Sequence, residues 1–250
     1  SMQTSEGVCY FDPNTKKAAP SLATSWEVAP DRSYVDYTIR QGVKFQNGDN
    51  MTVQDVKFSY DRLKDAAIVG PGGATTANRF WGDIEIIGAD KVRVHINEWA
   101  WTLLTTTPLI VPKNYIEKVG FEEWADKPVT TGPFKLVDWE RDVSVHLVKA
   151  FPKEGHWYWG TDTPNYDELY ILSVIEPATR LAMLKTGELD VAVVAPANIP
   201  AVDSDPNLTK VMAEWCYSWD IVFYDMGNPS SPSPLLDPKV RKAVSLAIDR

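Results

Sequence analysis

The residues able to do chemistry are few and scattered. Three histidines, His95, His146 and His156, stand far apart with no metal-ligand spacing between them. His95 and His146 fall on the polar phase of alternating segments, which suits a solvated surface better than a proton shuttle. Cys9 and Cys216 are too few for a disulfide framework or a zinc set, and their apolar neighbours favour two buried thiols. There is no Gly-x-Ser-x-Gly elbow to carry a nucleophile. Gly70-Pro71-Gly72-Gly73 lacks the Lys-Ser/Thr pair of a phosphate loop, so a surface loop over 70–76 is expected. Glu122 and Glu123 are adjacent on a short helix and face different ways, which suits solvation rather than acid/base work. Asn50-Met51-Thr52 and Asn207-Leu208-Thr209 match the glycosylation sequon, a pattern short enough to arise by chance.

What remains is an aromatic surplus. Trp81, Trp99, Trp101, Trp157, Trp159, Trp215 and Trp219 exceed what one small core needs, and flat rings can line a ligand cleft. No catalytic constellation emerges, and neither a cofactor nor a metal is implied. A net charge of −9 disfavours nucleic acid, whose binding needs clustered Lys and Arg. It equally disfavours a polybasic membrane-docking face. No run approaches the roughly 20 apolar residues of a spanning helix.

The elements that must position these residues read as mixed α/β. Tyr34 to Arg40 alternates Val35, Tyr37 and Ile39 against polar neighbours, a half-buried strand. Asn47-Gly48 marks a turn. Thr52 and Asp55 form a capping box that opens a helix with Val53, Val56, Tyr60 and Leu63 on one face. Ile84–Ile87 and Val92–Ile96 read as strands joined around Gly88-Ala89-Asp90. Pro112–Val119 and Phe121–Ala125 read as short helices, Phe134–Trp139 and Val143–Lys149 as a strand pair. A parallel βαβ unit is expected over Leu169–Val194: a strand at Leu169–Ile175, a helix from Pro177 to its stop at Gly187, and a second strand at Leu189–Val194. Further strands are expected at Leu208–Trp215 and Asp220–Met226, then a terminal helix from Asp237-Pro238.

Short segments in a fixed order carry a resemblance over almost the whole chain. They include Glu6-Gly7-Val8, Leu22-Ala23-Thr24-Ser25-Trp26-Glu27, Tyr37 to Phe45 and Asn47-Gly48-Asp49. Thr131-Gly132-Pro133-Phe134, Trp159-Gly160, Pro177-Ala178-Thr179-Arg180 and Gly187-Glu188-Leu189-Asp190 follow, then Leu236 to Ala243 with Ala247-Ile248-Asp249-Arg250. The set resembles the extracellular solute-binding proteins of the peptide and nickel class, family 5, the capture subunits of bacterial import ATPases. Thr130 stands where that family usually has Gly.

The resemblance implies a periplasmic-binding-protein-like fold of the class with an extra domain. Residues 1–9 would be an edge segment of the main lobe, 10–130 the extra domain, and 131–250 the main lobe, with a second ligand lobe beyond. Members are about twice this length, so the chain is expected to be part of a longer protein, to bind solute weakly alone and to self-associate through its uncovered face. The implied function is non-catalytic capture of an oligopeptide-like solute, with an oligosaccharide or a nickel chelate as alternatives and a hydrolase disfavoured. The implied partners are the solute and the permease and ATPase of an importer, at the periplasm or as a cell-surface lipoprotein.

Glu6, Gly7, Val8 and Cys9 match where the family sets an edge strand beside the ligand, with sheet packing as the competing reading. Arg79 and Trp81 match a stretch that reaches into the cleft, against a surface salt bridge and a core indole. Tyr217 and Trp219 lie near the interlobe crossing, where packing is favoured.

Overall fold

A computed structural model describes residues 4–151, 165–212 and 234–247. The chain forms two compact units, up to Ile175 and from Glu176 onward. In order, the first unit holds β1 (Cys9–Asp12), β2 (Lys17–Pro20), β3 (Ala23–Val28), β4 (Tyr34–Ile39), α1 (Val53–Leu63), α2 (Ala66–Phe80), β5 (Trp81–Ile86) and β6 (Lys91–Ile96). After a 3₁₀ turn at Trp101–Leu104 come α3 (Lys113–Val119), α4 (Phe121–Asp126), β7 (Phe134–Glu140), β8 (Ser144–Lys149) and β9 (Glu168–Leu172). The second unit holds α5 (Pro177–Thr186), α6 (Ile199–Asp203) and α7 (Pro238–Leu246).

The core of the first unit lies under a four-stranded antiparallel sheet in the order β3-β4-β6-β5. Strand alternation puts Val35, Tyr37 and Ile39 of β4 and Val92 and Val94 of β6 inside, all nearly inaccessible. The opposite face carries Asp36 and Arg93, paired across the strands as a two-bond fork at 2.7 and 2.8 Å. Arg93 also lies 3.7 Å over the Tyr34 ring.

Helix α1 contributes Val53, Val56 and Tyr60 to the same core. Its start is the expected capping box. Thr52 Oγ1 accepts from Gln54 N at 3.2 Å, and Asp55 Oδ2 accepts from Thr52 N at 2.8 Å. Asp55 is itself buried, and its Oδ1 accepts from Lys113 N at 2.9 Å. One turn on, Ser59 Oγ donates to Asp55 O and accepts from Val111 N. The entry to α3 is thereby tied to the first turns of α1. Arg62 lies 5.6 Å from the rings of both Phe121 and Trp124 of α4, and burial lowers its pKa.

The β7-β8-β9 sheet is antiparallel throughout. The Thr131-Gly132-Pro133-Phe134 motif leading into it has a steric cause. A Cβ on Gly132 would sit 2.3 Å from Thr4 C and 2.4 Å from Thr4 O, because the N-terminal strand of chain passes directly over it. Gly132 N donates to Thr4 O, and the Thr130 hydroxyl donates to the same carbonyl. Gln46 completes the crossing, its Nε2 donating to Gly132 O and Phe134 O.

Three expectations need correction. Residues 70–76 are helical rather than a loop: α2 is two helical stretches joined at Gly70, whose φ of 76° and ψ of 163° break the hydrogen-bond run. Pro71 then follows with its φ already suited to a first helical position. The helix from Pro177 to the left-handed Gly187 (φ 79°) is present, but Leu189–Val194 joins no ladder among the described residues. The only partner of β9 among them is β8, antiparallel. A parallel strand is covered on both faces, whereas Val191 and Val193 are 86% and 83% exposed. Residues 208–212 likewise form no strand. The expected strand Asp220–Met226 lies outside the described residues.

Candidate functional site

The expected site residues begin at the segment Glu6–Cys9, which is locked into the interior. Gly7 is required there, since a Cβ would meet Thr107 Oγ1 at 2.2 Å. Val8 is inaccessible and Cys9 nearly so. The carbonyls of this segment are all used internally. Glu6 O accepts from Ile110 N, Gly7 O from Leu22 N, and Val8 O from Ser21 N and Ala23 N. Thr107 Oγ1 donates to Cys9 O at 3.2 Å and faces Cys9 N at 3.5 Å. Such a saturated segment suits sheet packing more than pairing with an incoming backbone.

Burial pushes the Cys9 thiol up to about 12, so at neutral pH it is protonated and a poor nucleophile. Next to it are Tyr37 and Tyr60, whose phenols burial also drives upward and which hydrogen-bond to each other. Tyr60 meets Trp81 edge to face at 5.5 Å. Cys9 and Trp81 therefore belong to one packed run, Cys9-Tyr37-Tyr60-Trp81, within the sheet's core.

Arg79 sits at the end of α2, on the surface. Its guanidinium makes a two-bond fork to Glu98, with Nε and Nη2 both at 2.7 Å from the carboxylate oxygens. That bond holds the Glu98 carboxyl below its ordinary range. Tyr217 and Trp219 lie outside the described residues.

The two described histidines differ in their partners. His95 Nε2 lies 3.3 Å from Glu85 Oε1 but makes no hydrogen bond among the described residues. His146 stacks on Tyr170 with ring centroids 4.2 Å apart and shares Glu168 Oε2 with it: His146 Nε2 at 3.0 Å, Tyr170 OH donating at 2.9 Å. The Tyr170 hydroxyl first, and His146 second, hold the Glu168 carboxyl below its usual value. No serine, threonine or cysteine joins this cluster in a described contact. No group of three or more His, Cys, Asp or Glu suited to a metal occurs among the described residues. His156 lies outside them.

Sequence reasoning missed Thr107 and Gln46, which secure the Glu6–Cys9 and Gly132 crossings. Their partners are 98 and 86 residues away, and no local pattern signals them.

Comparison with known proteins bears on the family and the fold. Residues 17–250 match the family described as bacterial extracellular solute-binding proteins, family 5 Middle. The dipeptide-binding protein DppE of Bacillus subtilis (strain 168) is 28% identical over 92% of this chain and 44% of its own length. Among solved structures, the periplasmic binding protein DppA from Helicobacter pylori in complex with peptide STSA is 25% identical. It superposes with a TM-score of 0.69, over 82% of this chain and 44% of that one. AgaA of A.tumefacien R10, solved with agropinic acid, is 26% identical with a TM-score of 0.70, over 82% and 41%. The chain spans about half the length of the curated relatives it matches.

Proposed function

The chain belongs to the bacterial extracellular solute-binding proteins, family 5, and from that membership we propose that the protein containing it captures a peptide-like solute without altering it. The solute is held outside the cytoplasm, in the periplasm or at the cell surface, and passed to the permease and ATPase of an importer. One observation carries this reading: the match runs across 92% of the chain to a relative named for dipeptide binding. A structural neighbour that holds a four-residue peptide supports it. Family capture proteins close two lobes on the ligand, and the differential affinity for the closed state drives the hinge.

Within that reading, residues 1–9 are an edge segment of the main lobe, 10–130 the extra domain and 131–250 the main lobe. The change of sheet supports the boundary near 130: the four-stranded sheet ends with β6, and a new sheet starts at Phe134. Arg79 meets a solute carboxylate by exchanging Glu98 for it, since the same fork geometry serves both. Trp81 acts as a rigid wall behind it. Tyr217 and Trp219 remain ligand candidates, and Glu6, Gly7, Val8 and Cys9 support the sheet edge on which the solute rests.

Calorimetry on the whole protein tests this, with the peptide Ser-Thr-Ser-Ala, an oligosaccharide and a nickel–histidine chelate as titrants. Saturable binding of the peptide, recovered intact by mass spectrometry, is the expected result. Binding of the sugar or chelate alone, or peptide cleavage abolished by one carboxylate substitution, overturns it.

A further inference from the structure

The first unit carries an open, aromatic-lined recess of about 640 Å³ that the capture reading does not use. It lies between the β1–β2 hairpin, the edge strand β3 and the 3₁₀ turn at Trp101–Leu104. Phe11, Trp26, Trp101 and Leu104 supply its apolar walls, and Lys16 and Lys17 stand at its margin. A volume between about 300 and 1,000 Å³, walled by aromatic groups with few polar ones, is that of a small-molecule site. A protein–protein contact needs roughly 800 Å² on each partner, a broader face than this recess offers.

Local structure prepares the recess. Trp101 is 77% exposed, an unusual position for an indole. Its ring is nonetheless oriented, meeting Trp99 edge to face at 6.4 Å, while Trp99 is backed by the Arg32 guanidinium at 5.7 Å. The lysines are set by a built turn. Asp12 Oδ1 accepts from Asn14 N, its Oδ2 from Thr15 Oγ1, and its O from Lys16 N, which turns the chain through a left-handed Lys16 (φ 55°). Asp12 stands opposite Lys17 in the hairpin register, but both its oxygens are engaged by the turn. Lys17 makes no ion pair among the described residues. The Lys17 side chain therefore brings a positive charge to the margin of an apolar recess on a chain whose net charge is −9.

We propose that this recess binds a small aromatic acid, with its flat ring against Trp26, Trp101 and Phe11 and its carboxylate at Lys17. The Lys17 cation selects the sign of the ligand, and the indoles select its shape. None of the described residues that line the recess is one of the solute-capture residues, so the site stands or falls independently of the capture reading.

Two probes with one ring and opposite charge test it: indole-3-acetate and tryptamine, titrated into the chain by saturation-transfer NMR. Indole-3-acetate is expected to bind at least tenfold more tightly than tryptamine. Lys17→Glu should narrow that ratio at least fivefold, and Trp101→Ala should weaken both probes at least fivefold. Trp101 is mostly exposed, so its variant should keep the circular dichroism of the parent. Equal affinities for the two probes, or affinities unchanged in both variants, overturn the proposal. So does concentration-dependent dimerisation in sedimentation that Trp101→Ala abolishes, since a second copy would then be the occupant.

Discussion

Asp55→Ala removes the group on which the helical side of the first unit depends. One buried carboxylate accepts from Thr52 N, Thr52 Oγ1 and Lys113 N, at 2.8, 2.8 and 2.9 Å. Truncation leaves two backbone N–H groups without their acceptors, and each such group costs about 1–3 kcal/mol. The expected loss is therefore about 4 kcal/mol, against about 1 kcal/mol for Thr52→Ala, which removes the cap at Gln54 N and the hydroxyl's own bond to Asp55 but leaves both backbone donors of the carboxylate paired. Asp55→Asn should fall between them, because one amide oxygen still accepts while its NH₂ meets a donor. The double variant Thr52→Ala/Asp55→Ala should lose less than the sum, since the two residues share bonds. Urea unfolding followed by circular dichroism measures all four. With a slope of about 2 kcal/mol/M, Asp55→Ala moves the midpoint down by about 2 M. A loss under about 1 kcal/mol for Asp55→Ala would refute the reasoning, because water would then be serving the freed donors.

Gly132→Ala and Gly7→Ala should each lower the urea midpoint, the former more. The Gly132 Cβ meets the Thr4 backbone, whereas that of Gly7 first meets the movable Thr107 hydroxyl; the reverse order would contradict this account. The buried Cys9 thiol, pushed up to about 12, makes stability fall with alkalinity. The unfolded thiol ionises near pH 9 while the folded one stays protonated, so the unfolded state binds fewer protons and stability declines from about pH 9 toward 12. The expected slope is about 1.4 kcal/mol per pH unit from Cys9, with Tyr37 and Tyr60 adding the same sign above about pH 10. A urea midpoint unchanged between pH 8 and 10.5 would exclude this. Arg79→Ala should leave that midpoint unchanged, its partner Glu98 being exposed, while lowering solute affinity in the whole protein.

What was legible in the sequence was local. The Thr52–Asp55 box, Pro177 at a helix start, Gly187 at its stop and the alternation over Tyr34–Ile39 each lie within one element. Their physics is complete within a few residues. Gly70-Pro71 misled because the same pair punctuates a loop or joins two helices, and only the following turns decide. Leu189–Val194 has a strand's alternation, but a strand also needs a neighbour, which alternation does not report. The candidate site shows the same limit. Arg79 was recognisable as a fork-bearing cation, yet Glu98, 19 residues on, determines where that fork points. The carbonyls of Glu6–Val8 are taken by Ser21, Leu22, Ala23 and Ile110, and nothing in the spacing of those residues reports that their amides pair with this segment. The family resemblance, resting on many short segments in order, survived because no single one had to be right.

The two outer strands of the four-stranded sheet both break register, β3 between Ala23 and Ser25 and β5 between Trp81 and Ile84. Lys57 of α1 and Lys64, which caps its C-terminus, also donate to carbonyls of β5: Lys57 Nζ to Ile84 O and Lys64 Nζ to Gly82 O, both at 2.8 Å. An edge that is kinked and already charged is a poor template for a foreign strand. Both flanks of this sheet therefore offer a foreign strand an interrupted register, and on the β5 side some of the carbonyls it would pair with are already taken.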